Sequence, residues 1–219
     1  ETDETIIIEI SGIASGDAST GTVLTHTVTV NDNDFDGYSG PGGVGDDSNN
    51  KLWLRTDSLS GFSDDDQVGT WEDFSGNNND FSQLTAADQP LYKTSVFNGK
   101  PVIRFDGSSD FMTGPSIING NVGRTIFIVG KMTSSTGSWD GLLVNLDYPQ
   151  TGGSGETYSI TPEVGVRVNG NIVFNEGFGT TNTRLLTIRN AAGANVTAVE
   201  AYLEGVGLTL ASSSAATIN

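Results

Sequence analysis

Any chemistry in this chain has to rest on carboxylates and carboxamides. The 219 residues contain no cysteine and one histidine, His26, against 27 Asp and Glu, 10 Lys and Arg, and a net charge of −17. Without thiols there is no disulfide and no thiolate metal site. With one imidazole the common zinc ligand sets cannot be assembled. A nucleophilic serine or threonine would need a base beside it, and His26 lies on an alternating N-terminal strand where a structural role is expected. There is no P-loop and no Rossmann glycine pattern. Carboxylate-pair hydrolysis of a glycoside needs two acids on one strand face, about 5–5.5 Å apart for retention. The glutamates stand at 1, 4, 9, 72, 156, 163, 176, 200 and 204, and no Glu–Asp–Glu alternation falls on a strand candidate after residue 50. The expectation is a protein that is not an enzyme.

What remains is binding. Asp32-Asn33-Asp34-Phe35-Asp36-Gly37 starts like an EF-hand loop, but its twelfth position is Gly43, where a bidentate glutamate is required, and no helix pattern flanks it. Trp139 lies in the polar stretch SSTGSWDG and is the tryptophan expected at the surface. It could stack a sugar ring or fold back onto the sandwich. Asn78, in the Asn/Asp/Gly loop 75–80, is a second place where a surface loop could carry specificity. Trp53, Trp71 and Phe105 alternate with apolar neighbours and are expected in the core. The negative balance argues against duplex nucleic acid and anionic membrane as partners. No apolar run reaches the roughly 20 residues of a membrane-spanning helix, so no membrane insertion is expected.

The elements that would position these residues are short strands. Glycine is high at 29 and no window sustains a helical period, so helix content should be very low. Residues 5–10 (TIIIEI) and 22–30 (TVLTHTVTV) form a hairpin with a long connection. Residues 35–50 (FDGYSGPGGVGDDSNN), with five glycines and no periodicity, read as a linker. From 51 onward strand candidates follow at 51–55, 68–71, 91–97, 101–105, 110–113, 124–132, 141–146, 157–160, 164–168, 171–174, 183–190, 196–203 and 206–211. Asn-Gly pairs at 98–99, 119–120 and 169–170 supply hairpin turns. Thirteen short strands in one domain imply two packed antiparallel sheets, an all-β jelly-roll sandwich preceded by a β-hairpin.

Two family resemblances sharpen this. Glu1-Thr2-Asp3-Glu4-Thr5, an apolar strand, a loop and TVTVNDND resemble the last strands of a Calx-beta domain. The resemblance implies that Glu1, Glu4, Asp32 and Asp34 ligate calcium, with Asn33 standing where exchanger-type members carry a third aspartate. LWLRTD, the W-x-D-x-SG-N-x-N-D pattern, NGKPVIRFDG and TIFIVGKM resemble the concanavalin A-like, laminin-G-type jelly roll of bacterial (Bacteroidota-type) surface proteins. The LLTIRN…AVEAYLEG pair is similar to a strand pair of that family, with Glu204-Gly205 in place of its Asn-Gly turn. Members continue with a further core strand, whereas this chain stops at Asn219. That family often carries a calcium at a loop end, which implies Asp64, Asp65 and Asp66 with Asp106 and Asp110 as ligand-site candidates; the same acids also serve as turn formers.

The resulting division is residues 1–34 as the end of a Calx-beta-like domain, 35–50 as linker and 51–219 as the laminin-G-like domain. Since ETDETIIIEI starts inside a structured pattern, the chain reads as a piece of something longer. The expected function is a noncatalytic segment of a large secreted adhesin at a bacterial cell surface. It would bind a glycan or protein ligand, meet neighbouring domains of the same long chain, and use calcium to rigidify the junction at 31–37. Two alternatives stay open: a spacer, stalk or filament segment without a ligand, and an accessory carbohydrate-binding domain of an exported polysaccharide-degrading enzyme.

Overall fold

β-branched and aromatic residues alternating with polar ones make short strands, and the chain folds almost wholly into them. The computed structural model describes residues 4–9, 25–30, 40–41, 45–117, 122–132, 143–146, 156–161, 165–168, 171–175, 182–211 and 218. In order, the strands are β1 (Glu4–Glu9), β2 (Thr25–Val30), β3 (Thr70–Trp71), β4 (Phe81–Ser82), β5 (Leu91–Phe97), β6 (Lys100–Arg104) and β7 (Arg124–Gly130). They continue with β8 (Leu143–Leu146), β9 (Glu156–Thr161), β10 (Gly165–Val168), β11 (Asn171–Phe174), β12 (Arg184–Asn190), β13 (Glu200–Leu203) and β14 (Val206–Gly207). Helical structure among the described residues is confined to short 3-10 turns such as Thr56–Ser58, Ala86–Asp88 and Val196–Ala198. None of it is long and apolar enough to cross a membrane.

Every strand pairing is antiparallel. The expected N-terminal hairpin forms, with Glu4 opposite Val30 and Ile8 opposite His26. Asn98-Gly99 closes β5 onto β6 with Phe97 opposite Lys100. Both turn residues are left-handed, at φ 49° and 75°, as a two-residue hairpin turn matched to strand twist requires. Two sheets have four strands each: a meander in the order β11-β10-β9-β8, and a second in the order β14-β13-β12-β7. The second is not sequential, because β7 returns to pair with β12 after the whole meander has been made.

The main core lies where these two sheets share side chains. Along β12, Leu186 and Ile188 are buried while Leu185 and Arg189 are exposed, the alternation of a half-covered strand. Opposite them stand Ile128 and Ile126 of β7 and Leu203 and Ala201 of β13. Val166 of β10 and Val173 and Phe174 of β11 join the same cluster from the other sheet, with Val196, Val199 and Ile218 completing it. Burying each large aliphatic contributes roughly 1.5–3 kcal/mol. Asn190, buried at the end of β12, donates to the carbonyls of Val122 (3.1 Å) and Ala191 (2.9 Å), so its amide is not left unpaired. A smaller core joins Leu59, Val68 and Tyr92 to Phe62, Trp71, Ile103 and Met112, with the Phe62 and Tyr92 rings stacked at 5.5 Å.

Several expected elements come out differently. Residues 51–55 make only a single bridge, Leu54 to Asp73, because side chains of a neighbouring loop take over the backbone groups a second strand would have used. Residues 110–113 likewise contribute one bridge, Ser82 to Thr113, and β4 forms where no strand was expected. The span 196–203 opens as a 3-10 turn and becomes strand only at Glu200. Phe105 is not core: β6 ends at Arg104, so the alternation stops before it and its ring is 40 % exposed. Trp71 packs on the smaller core as expected, while Trp53 is only half-buried.

Candidate functional site

The loop 72–80, sequence EDFSGNNND, divides its side chains by parity. Asp73, Ser75, Asn77 and Asn79 turn inward, while Glu72, Phe74, Asn78 and Asp80 are exposed. The inward set ties the loop to residues 47–53. Asp73 Oδ1 accepts from the backbone N–H of Trp53 (2.8 Å) and of Ser75 (2.8 Å). Its Oδ2 accepts from the Ser75 hydroxyl (2.5 Å) and the Asn79 N–H (2.9 Å). The Asn77 amide donates to the carbonyls of Asp47 (3.0 Å) and Asn50 (2.9 Å), and the Asn79 amide donates to that of Lys51 (2.8 Å). Burial pushes the Asp73 carboxyl up, but the Ser75 hydroxyl and the N–H groups of Trp53, Asn79 and Ser75 outweigh it and hold the group below its ordinary value. Asp73 is the knot of this loop.

The outward set lines a shallow hollow of about 380 Å³, made by Glu72, Asp73, Phe74, Gly76, Asn78 and Asp80. Asn78 reaches it from a left-handed backbone, φ 56°, a conformation asparagine tolerates better than most residues. Asp80 uses one oxygen to accept from the Asp73 N–H (2.7 Å). The Phe74 ring is 36 % exposed and stands 5.6 Å from the Arg55 guanidinium, which also stacks on Trp53 at 4.9 Å. Arg55 is itself ion-paired to Asp57 at 2.9 Å. Hydrogen-bonding groups beside a partly exposed aromatic face, on a braced loop, can hold a small polar ligand with an apolar side.

The other acidic candidates are engaged within the fold. Asp106 accepts five hydrogen bonds, from the N–H groups of Ser108, Ser109 and Asp110 and from the hydroxyls of Ser108 and Ser109. The Asp110 N–H and the Ser108 donors hold its carboxyl well below the usual range. Asp110 accepts from the Asp106 N–H (2.8 Å), and burial followed by the nearby Asp106 and Asp88 carboxylates raises it. Asp64 and Asp65 meet the Lys93 ammonium at 2.8 and 2.7 Å, so a lysine from β5 sits where a bound cation would. Lys93, and then the Thr94 N–H, lower the Asp64 carboxyl, while the two aspartates raise Lys93. Asp66 is turned back onto the Ser63 N–H at 2.6 Å.

Of the sequence-derived site residues, Glu1, Asp32, Asp34 and Trp139 lie outside the described residues. Glu4 opens β1 opposite Val30, and Asp32 and Asp34 follow Val30 along the chain. Asn78 is in the hollow; Asp106 and Asp110 are together in a separate turn. Among the described residues no three or more acids and imidazoles gather as a metal centre. Sequence reasoning picked out Asn78 but missed Phe74, Glu72 and Asp80 beside it, and it missed Lys93 as the partner of the aspartate run. The alternation of small hydrogen-bonding residues at 73, 75, 77 and 79 was the available signal. In comparisons with known proteins the chain matches no protein-family model, no curated protein and no solved structure.

Proposed function

We propose that this chain is a noncatalytic binding segment of a large secreted adhesin at a bacterial cell surface, and that residues 51–219 are a laminin-G-type jelly roll presenting a ligand site. The observation that carries the binding reading is the 72–80 loop. Its inward side chains are spent on bracing, while Glu72, Phe74, Asn78 and Asp80 face solvent around one hollow. A structural turn gains nothing from holding a phenylalanine half in water. Rigid presentation of an exposed ring and polar groups is what a binding loop requires. The sequence resemblance supports the jelly roll, and two antiparallel sheets sharing one core are compatible with it.

The test is a glycan array followed by titration of any hit with the intact chain. Phe74→Ala and Asn78→Ala are each expected to weaken binding about tenfold, leaving the melting curve unchanged. Trp139→Ala in the same assay tests the other aromatic that the sequence offers. Absence of binding to any glycan or protein ligand, together with copies packed end to end in filaments, would replace this reading with the spacer.

Calcium at the 31–37 junction is part of the same proposal. It rests on the Calx-beta resemblance and on a register that pairs Glu4 with the residue just before Asn31. Hard carboxylate oxygens are the ligands calcium prefers. The melting temperature should rise when calcium replaces a chelator, and the rise should vanish in Asp32→Asn/Asp34→Asn. A melting curve indifferent to calcium rejects the site.

A further inference from the structure

The charge of the 72–80 hollow says which ligands it can accept. Three of its six lining residues are carboxylates, Glu72, Asp73 and Asp80, and none is basic. Asp73 is ionised at neutral pH and its oxygens are filled by four donors, so it contributes field and no free acceptor. Glu72 and the second Asp80 oxygen are the acceptors left for a ligand, and the Asn78 amide adds a donor and an acceptor. The nearby cations are committed: Arg55 to Asp57 and to two aromatic rings, Lys51 to the Asp47 carbonyl at 3.4 Å. The rest of the chain, at −17, adds to the same negative potential.

Resting on the binding reading above, we infer that the hollow takes amine-bearing or neutral sugars and rejects acidic ones. A pyranose ring lays its C–H face on Phe74 while its hydroxyl or ammonium hydrogens point at Glu72 and Asp80. A hexosamine with a free amine gains charge-assisted hydrogen bonds there. A uronate, sialate or sulfate brings a second anion into a site that already holds three, with no arginine or lysine free to receive it. The cleft, at about 380 Å³, lies at the low end of the roughly 300–1,000 Å³ of small-molecule sites, which fits a short saccharide segment. Phe74 is the only apolar side chain in its lining, which favours a sugar over a peptide that would need a larger apolar seat.

The experiment titrates the intact chain with three probes of equal length: a glucosamine oligomer, an N-acetylglucosamine oligomer and a galacturonate oligomer, at low and at physiological salt. The glucosamine oligomer should bind at least about tenfold more tightly than the galacturonate oligomer at low salt, with the gap narrowing as salt rises. Glu72→Gln should cut that preference severalfold while changing N-acetylglucosamine binding less than about twofold. General attraction of a polyamine to an acidic protein would survive the loss of one carboxylate, so a preference unchanged in Glu72→Gln overturns the proposal. Equal or tighter binding of the galacturonate oligomer overturns it too, as does a lysine-rich peptide outcompeting every sugar for the hollow. If saccharides bind but Phe74→Ala leaves them all unaffected, or if none of the three binds, it is the underlying assignment of the hollow that fails.

Discussion

Asp73→Ala is expected to cost about 2–4 kcal/mol of folding stability, measured by urea unfolding, although no ligand is involved. The carboxylate accepts from Trp53, from Ser75 twice and from Asn79, so its loss leaves four donors without their acceptor. Charge-assisted bonds of this kind are each worth about 1.5–3 kcal/mol, and because they share one group they do not add in full. Asp73→Asn should fall between: its oxygen can serve two donors, but its amide then faces another N–H. The pH dependence has a defined sign. Asp73 is held below the ordinary value of 3.8, so its contribution is fully present above that value and is lost as pH falls through the folded-state value. Asp64 and Asp106, also lowered, act in the same direction, and Asp110, raised by burial and its acidic neighbours, opposes them. Stability should therefore be flat from neutral pH down to about 5 and decline below about 4. Asp73→Ala should flatten that decline. An unfolding midpoint equal to the parent's would mean that the carboxylate does not hold the loop.

The second large effect is in the main core. Leu186→Ala should cost about 2–5 kcal/mol, because its side chain is fully buried between Ile128, Leu203 and the residues of the facing sheet. Its neighbour Leu185 points the other way and is 37 % exposed, so Leu185→Ala should cost under about 1 kcal/mol. The pair is a sharp test of register, because slipping β12 by one residue exchanges the two faces. Equal losses at 185 and 186, or a larger loss at 185, would refute the two-sheet core.

The strands were legible wherever the residues themselves enforce them. The Asn98-Gly99 turn set the β5–β6 hairpin, since only residues tolerant of positive φ make that turn cheaply. Alternation located β7, β11 and β12 to within two residues at either end. It misled at 51–55, where an apolar run resembling a strand has its backbone satisfied by Asp73, Ser75 and Asn79 instead of a second strand. It misled again at Phe105, one residue past the end of β6. Short strands next to polar loops are the weak case for periodicity, because a side-chain acceptor competes with the ladder for the same N–H.

The candidate site was less legible than the strands. Asn78 could be singled out because Asn and Gly cluster in its loop, whereas the exposure of Phe74 depends on which way each residue of that loop turns. Nor does the aspartate run at 64–66 reveal Lys93, which follows almost 30 residues later and meets it only through the placement of β5.

By itself the sequence determined that this protein is built of short antiparallel strands with almost no helix, that thiol chemistry is absent, and that its reactive inventory is acidic. Those properties follow from composition and from local φ/ψ preferences, which act over a few neighbouring residues. Only the tertiary structure decided which acids are spent and which are free. Asp73, Asp106 and Asp64 are saturated by donors, while Glu72 and Asp80 keep oxygens for a ligand. The physical reason is that a carboxylate's availability is set by the donors that folding brings to it, and those for Asp73 and Asp64 arrive largely from distant parts of the chain.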